Sequence, residues 1–407
     1  MAEKVMSSFK IEKNRAPLLI HLPTEILIMI MKYCPNISSL WGLINASSRL
    51  NLIFMNMARE VVEYVMAATL PVRIRNHMMI VLLTRTSPNS LLDIDHLLKY
   101  MSEEFNLESL PDKTSPQVFR DLLKLAHTLH GVAHACLDFY LEKTKAMNPQ
   151  RLSDTEVQGI YKNRRIPRHK FDGLQGQPYQ PKYSGPASYL EEQTTIRFLW
   201  RLQIFLDLKT ACNVGALAHW PEEEQNRLQG MAMLDFLELF YVPGRSRRRY
   251  SYEQEQLFTV INFVNETLGE QPSEAEDELA RFLHRPPAAV YNRGYQLPCL
   301  PKPGPTMERM SGRDVLIDID SEIGRAQMGW RFHTIMTTDV TKSPLLHFSF
   351  KPYRKFGFAF WRDERMIELG FLEPEINRWG LWEPYSLYFT WRSILSPDEI
   401  AQELGST

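Results

Sequence analysis

Residues 22–65 read LPTEILIMIMKYCPNISSLWGLINASSRLNLIFMNMAREVVEYV, and the reading of this stretch decides how the chain is understood. It resolves into three helices in close succession. Leu22-Pro23 opens the first, since proline at a helix start loses no hydrogen bond: the N–H it lacks has no partner there anyway. Glu25 complements the positive end of the helix dipole. Ile26, Leu27, Ile30 and Met31 share one face at helical spacing. Pro35 stops the helix because it cannot continue the hydrogen-bond ladder. Ser38 or Ser39 is the expected cap of a second helix with Leu40, Leu43 and Ile44 on its apolar face. A third begins near Ser47 or Ser48 and carries Leu50, Ile53, Phe54, Met57, Val61, Tyr64 and Val65 in register.

Working outward, 407 residues suggest two or three domains, each large enough to bury a core. An apolar content of 44% is that of an ordinary globular protein. The net charge of −1 gives the surface no general attraction for nucleic acid or an anionic membrane. The four cysteines, Cys34, Cys136, Cys212 and Cys299, are far apart and form neither CxxC nor Cys/His finger spacings, which argues against a zinc ribbon. Isolated thiols suit a reducing compartment, cytoplasmic and/or nuclear. The N-terminal residues are polar, with one apolar run from Ala16 to Ile20 that is too short for a secretory signal. No apolar run approaches the length of a membrane span.

The pattern predicts a mainly α fold. Residues 1–20 read as a flexible arm, 21–68 as the three-helix unit, 69–147 as a helical extension, 148–188 as a linker or long loop, and 189–407 as a larger C-terminal helical domain, with a small β-hairpin as an option. In the extension, Val72 to Thr84 is helical, and Ile94, Leu97, Leu98, Met101 and Phe105 repeat at helical spacing. Ser115-Pro116 starts a long helix ending near Asn148-Pro149. Residues 148–188 hold Gly173, Gly176, Pro178, Pro181, Gly185 and Pro186 with few aliphatic side chains. Ile196 to Leu208 is apolar nearly all round and reads as a buried helix. Helices are expected again from Pro221, over Tyr252 to Leu268, and over Glu274 to His284. Leu346, Phe348 and Phe350 alternate as in a strand; Phe356, Phe358 and Phe360 alternate too, but lead into a helix, Arg362 to Leu369, closed by Gly370. Ser396-Pro397-Asp398-Glu399 is a capping-box start for a last helix. No repeat of solenoid or propeller period is visible.

Residues that could carry chemistry are few. His127, His130 and His134 lie at i, i+3, i+7 near Cys136, a spacing that can gather imidazoles about a metal. However, His130 falls inside the apolar stripe of its helix and the other two edge it, so they read as structural, and no metal site or cofactor is expected. Asp93-Ile94-Asp95 and Asp318-Ile319-Asp320 are paired carboxylates without a nucleotide-binding βαβ pattern around them. No glycine-rich phosphate loop or nucleophile elbow is present. The expectation is a non-enzyme. Two basic clusters, Arg164, Arg165, Arg168, His169 and Lys170, then Arg245, Arg247, Arg248 and Arg249, read as solvated loops, with nuclear import or phosphate contact as the functional option for the second. Trp330, Trp361, Trp379, Trp382 and Trp391 make the C-terminal region dense in aromatics, read mainly as core.

Leu22-Pro23, Glu25-Ile26, Ser39-Leu40 with Leu43, and Ser48-Arg49, in this order and spacing, resemble the F-box family. One departure follows Arg49, where Leu50 and Asn51 stand and the first aromatic comes only at Phe54. A short F-box followed by a long helical region without repeats is similar to the F-box proteins of filamentous fungi. The resemblance implies a substrate receptor of an SCF-type ubiquitin ligase, joining a Skp-type adaptor, and through it a cullin, to a target protein held by the C-terminal domain. It implies adaptor contact by Leu22, Pro23, Ile26, Ile30, Leu40, Leu43 and Ala46, some of which must instead hold the three helices together. The alternatives are a ligase-independent helical scaffold or regulator, and a nucleic-acid-associated regulator acting through the arginine clusters. No nucleic-acid or membrane partner is expected on the first reading.

Overall fold

The computed structural model describes residues 21–101, 110–111, 114–153, 175–239, 248–269, 275–290, 307–310, 313–316, 328–339, 343, 345, 348–373 and 385–405. The fold is mainly α with two short antiparallel strand pairs. The chain divides into two compact units, Met1–Leu70 with Ser109–His127, and Pro71–Glu108 with Thr128–Thr407.

In the first unit, α1 is Thr24–Lys32, α2 is Ile37–Asn45 and α3 is Ser48–Thr69. Pro23 sits at the cap position, one residue ahead of the helix it opens. Asn36, not Ser38 or Ser39, caps α2: its side chain accepts the Ser39 N–H at 2.7 Å, so the helix begins earlier than the serines suggest. Ser47 caps α3 by accepting the Arg49 N–H at 3.2 Å. Helix α3 is kinked at Met57, where φ is −125° and ψ 19°. The core draws Leu27 and Met31 from α1, Ile37, Leu40 and Ile44 from α2, and Leu50, Ile53, Phe54, Val61 and Val62 from α3. A long helix α6, Pro116–Lys145, contributes its first turns to this unit. There Arg120 donates to Asn45 Oδ1 at 3.1 Å and lies over the Trp41 ring.

The second unit contains α4 (Val72–Thr86), α5 (Ile94–Met101) and the remainder of α6. It continues with α7 (Tyr189–Asn213), α8 (Glu222–Gly230), α9 (Met233–Glu238), α10 (Arg248–Leu268) and α11 (Ala275–His284). Four shorter helices close it: α12 (Met328–Thr334), α13 (Asp363–Glu368), α14 (Tyr385–Ser393) and α15 (Pro397–Gly405). Helix α7 is the axis of the unit and is packed along α4. Its start is a full capping box: Glu191 N–H donates to Ser188 Oγ at 3.3 Å, and Ser188 N–H donates to Glu191 Oε2 at 2.8 Å. The expected burial of α7 is observed, but the buried face includes Gln193, Arg197, Arg201 and Gln203 as well as the apolar residues. The box at Ser396 and Glu399 forms as expected and starts α15.

Around Trp391 the rings of Phe332, His333, Tyr353, Phe358 and Phe371 gather at centroid distances of 5.0–6.3 Å. Trp330, Trp361 and Trp391 are buried, so these aromatics are core. This packing overturns the expected strand at 346–350. Phe348 and Phe350 stand outside any strand, and Lys351–Phe356 is a 3-10 helix whose second residue is Pro352. Proline has no N–H for a ladder, and the neighbouring backbone is used in local turns instead: Phe348 N–H donates to Leu345 O at 2.9 Å and Tyr353 N–H to Phe350 O at 3.0 Å. Phe356, Phe358 and Phe360 span the end of that helix and a tight turn at Gly357, whose φ is +70°. Helix α13 follows and closes at Gly370 with φ +82°.

Residues 148–153 and 175–188, the two described ends of the stretch expected to be a linker or long loop, are held within the second unit. Strand β1 (Gln150–Arg151) pairs with β2 (Gln177–Pro178), setting Gln150 against Pro178 and Arg151 against Gln177. Gln150 N–H donates to Ser393 Oγ at 2.9 Å, Thr390 Oγ1 donates to Gln150 O at 3.0 Å, and Tyr179 OH donates to Leu369 O at 3.0 Å. A second hairpin pairs β3 (Met307–Met310) with β4 (Arg313–Leu316). The arm 1–20, the cluster Arg164 to Lys170, Arg245 and Arg247, Asp318 to Asp320, Phe105, Cys299, Leu346, Trp379 and Trp382 lie outside the described residues.

Candidate functional site

Helix α1 is apolar on two opposite sides. Leu27 and Met31 point into the core of the first unit, while Ile26 is 42% exposed, Met29 52% and Tyr33 68%. The three exposed residues follow at i, i+3 and i+7, a second stripe that the core does not use. Tyr64 of α3 extends it: its ring meets that of Tyr33 edge-on at 5.5 Å, and Lys32 lies over it. Lys32 also pairs with Glu60 of α3. Leu52, on α3, is exposed as well. Scattered exposed apolar residues are ordinary on a monomer, whereas these form a continuous stripe of long side chains on one short helix.

The positions expected to face an adaptor separate into groups. Pro23, Ile26 and Ala46 are exposed, and Leu22, Ile30 and Leu43 are half-buried. Leu40 is fully buried and belongs to the core of the unit, leaving it no surface for a partner. Arg49, of the Ser48-Arg49 step, donates from Nη2 to the Leu22 carbonyl at 3.0 Å. It thus fixes the backbone where Leu22-Pro23 lead into α1. Met29, Tyr33, Leu52 and Tyr64 were absent from the expected set. Met29 and Tyr33 were detectable as the continuation of Ile26 along the helix, but Met29 sits beside the core residues in sequence and reads as one of them.

The histidines of α6 are placed apart in role. The His127 ring lies 6.3 Å from that of Trp41, and burial pushes its pKa down to about 4. His130 is buried, and His134 Nε2 stands 3.1 Å from Glu192 Oε1 with both side chains enclosed. Among the described residues no group of three or more His, Cys, Asp and Glu side chains is disposed to hold a metal ion. Asp93 is a helix cap, accepting the His96 N–H at 2.7 Å. Cys34, Cys136 and Cys212 are buried free thiols. Burial raises the pKa of Cys34 to about 11, which keeps it protonated and unreactive.

A cleft of about 400 Å³ in the second unit lies between α10, the 3-10 helix and α15. Several of its charged side chains are paired: Arg354 Nη2 with Glu255 Oε1 at 2.9 Å, Lys355 Nζ with Glu399 at 2.6 Å, and Glu266 with Lys143 at 2.5 Å. Glu403 accepts the Ser349 N–H at 2.7 Å. Among the described residues no helix is long and apolar enough to cross a membrane. Neither a family model, nor a curated protein, nor a solved structure matches the chain.

Proposed function

We propose that the first unit is an F-box-like docking module and the chain a substrate receptor of an SCF-type ubiquitin ligase, working by scaffolding and not by its own chemistry. The observation that carries this reading is the exposed stripe Ile26, Met29 and Tyr33 on a helix whose opposite face already fills the core. Short-helix interfaces depend on a few apolar anchors, each costing more than about 1 kcal/mol when truncated. The stripe offers such anchors, with Pro23 at its head and Tyr64 at its side. The resemblance of Leu22-Pro23, Ser39-Leu40 and Ser48-Arg49 to the F-box pattern supports a Skp-type adaptor as the molecule that covers it, with a cullin joined through the adaptor. The second unit then holds the target protein, in cytoplasm or nucleus.

The test is co-purification of the adaptor and the cullin with the full chain. Ile26→Asp with Met29→Asp, and separately Leu22→Ala with Pro23→Ala, abolish capture while leaving the circular-dichroism melt near that of the wild type. Leu40→Ala instead lowers the melt, by about 2–5 kcal/mol for a buried leucine. If the wild-type chain retains no adaptor under mild conditions, the ligase reading fails and a ligase-independent scaffold takes its place.

A further inference from the structure

Two helices of the second unit present pairs of nitrogen-bearing side chains at i, i+4, which places the members of each pair on one face. Arg73 and His77 are on α4, Arg197 and Arg201 on α7, and these two helices pack together. Glu253 of α10 reaches the same place: Arg201 Nη1 pairs with its Oε1, and Arg197 Nη1 lies 3.4 Å from the same oxygen. His77 is 1% exposed, Arg197 1% and Arg201 6%. The charges of Arg201, Arg197 and Arg73 all act on His77, and the same three act on Glu253. Glu253 thus feels all three guanidiniums.

The hydrogen-bond inventory is uneven. Arg197 Nε and Nη2 have no partner, nor has either ring nitrogen of His77. A guanidinium cannot shed its charge at any accessible pH, and leaving buried donors and charge uncompensated is strongly destabilising. Burial combined with the three arginine charges holds His77 well below its ordinary pKa, so its ring is neutral with one N–H to give. Two free donors on one edge of a guanidinium match two oxygens of a tetrahedral oxyanion.

We propose that this cluster is an anion site that takes a phosphate group, held by Arg197 Nε and Nη2 and by the His77 ring, with half-buried Arg73 on its outer side. The site is independent of the docking reading above: it lies in the other unit and uses none of its residues. Two donors on one guanidinium edge with one imidazole N–H match a single phosphate group, free or carried on a small ester.

The experiment uses the full chain at pH 7, with inorganic phosphate titrated against sodium chloride at matched ionic strength, followed by thermal melting and by equilibrium dialysis of radiolabelled phosphate. The expected result is a saturable rise in melting temperature with phosphate only, and one phosphate bound per chain. Arg197→Gln abolishes the rise. Arg73→Gln, at a half-buried position where folding is retained, moves the half-saturating phosphate concentration up about tenfold or more. O-phosphoserine as a second probe separates the sources: half-saturation below that of inorganic phosphate assigns the site to an esterified phosphate, and failure to bind alongside retained inorganic phosphate assigns it to the free ion. Equal melting in phosphate and chloride, with no phosphate retained on dialysis, overturns the proposal. So does a phosphate effect of wild-type size in Arg73→Gln together with a higher melting temperature in Arg197→Met, since the buried charge is then only a structural burden.

Discussion

Replacing Arg365 with methionine removes a densely bonded side chain of the second unit. Its guanidinium donates from Nε to Glu191 Oε1 and from Nη2 to Glu191 Oε2, both at 2.8 Å. It also reaches Ser184 Oγ at 2.5 Å, Gly185 O at 3.3 Å and Pro186 O at 2.8 Å. Arg365 is 4% exposed and Glu191 1%, so water does not replace what is lost. Removing one member of a buried ion pair costs about 3–5 kcal/mol, because the other charge stays behind. The backbone N–H groups of Ser188 and Arg362, at 2.8 and 3.2 Å, still reach the Glu191 carboxylate, which favours the lower part of that range. With a urea dependence of about 3 kcal/mol/M, the midpoint falls by about 1 M. Urea titration followed by tryptophan fluorescence is a direct assay, since Arg365 lies over the Trp361 ring at 5.0 Å. Adding Glu191→Gln to Arg365→Met removes the stranded charge while keeping an acceptor for the cap, so the double variant recovers at least about 1 kcal/mol of the loss. A single-variant cost under about 1 kcal/mol, or a double variant less stable than the single, refutes this account of the pair.

Gly357 and Gly269 separate backbone strain from crowding. Both have positive φ, but a Cβ at Gly357 meets Tyr140 Cβ at 2.7 Å while one at Gly269 meets open space. Gly269→Ala should cost about 1 kcal/mol, and Gly357→Ala about 1–3 kcal/mol more, read as the difference between their urea midpoints. His333, whose Nε2 is 3.1 Å from Ser349 O, has its pKa pushed down to about 3 by burial. A depressed histidine is neutral in the fold and takes up its proton on unfolding, so its contribution is complete above about pH 6.5 and is lost as pH falls from there toward 3. Urea midpoints between pH 6 and 4 should therefore fall by up to about 1.4 kcal/mol per pH unit less in His333→Gln than in the wild type. On the first unit, Tyr33→Ala should weaken adaptor capture without moving the melt, because Tyr33 is 68% exposed.

Local signals carried far along this chain. Ser396 caps the helix it was expected to start, and Ser47, one of the two serines near which α3 was expected to begin, caps that helix, because a serine ahead of an apolar run satisfies end N–H groups whatever lies around it. The mainly α class followed from the same periodicities. Where the sequence misled, tertiary packing decided. Asn36 outcompeted Ser38 and Ser39 for the start of α2 because it stands one turn earlier with an open carbonyl-type acceptor. Phe348 and Phe350 alternate as in a strand, yet the backbone beside them closes local turns, Phe348 N–H to Leu345 O and Tyr353 N–H to Phe350 O, and a 3-10 helix begins at Lys351. Of the docking candidates, Leu40 and Ile26 looked equivalent, each apolar and at helical spacing. Only the packing of α3 against both helices buries one and leaves the other in solvent. The arginines of α7 were invisible as a cluster, since Arg73, His77 and Glu253 that complete it come from distant stretches of sequence.

The pairing of β1 with β2 has a practical side. Gln150 and Arg151 stand directly across an antiparallel ladder from Pro178 and Gln177, where facing Cα atoms are about 4.5–5.5 Å apart. Both rims of this neck are riveted: Gln150 to α14, Tyr179 to Leu369, and Ser184 to Pro186 to Arg365. By loop-closure entropy alone, each doubling of the segment that joins the two rims costs only about 0.6 kcal/mol. The neck is thus a natural splice port. A reporter domain whose own termini lie close together, grafted between residues 154 and 174, should fold beside the second unit and leave its urea midpoint within about 1 kcal/mol of the parent.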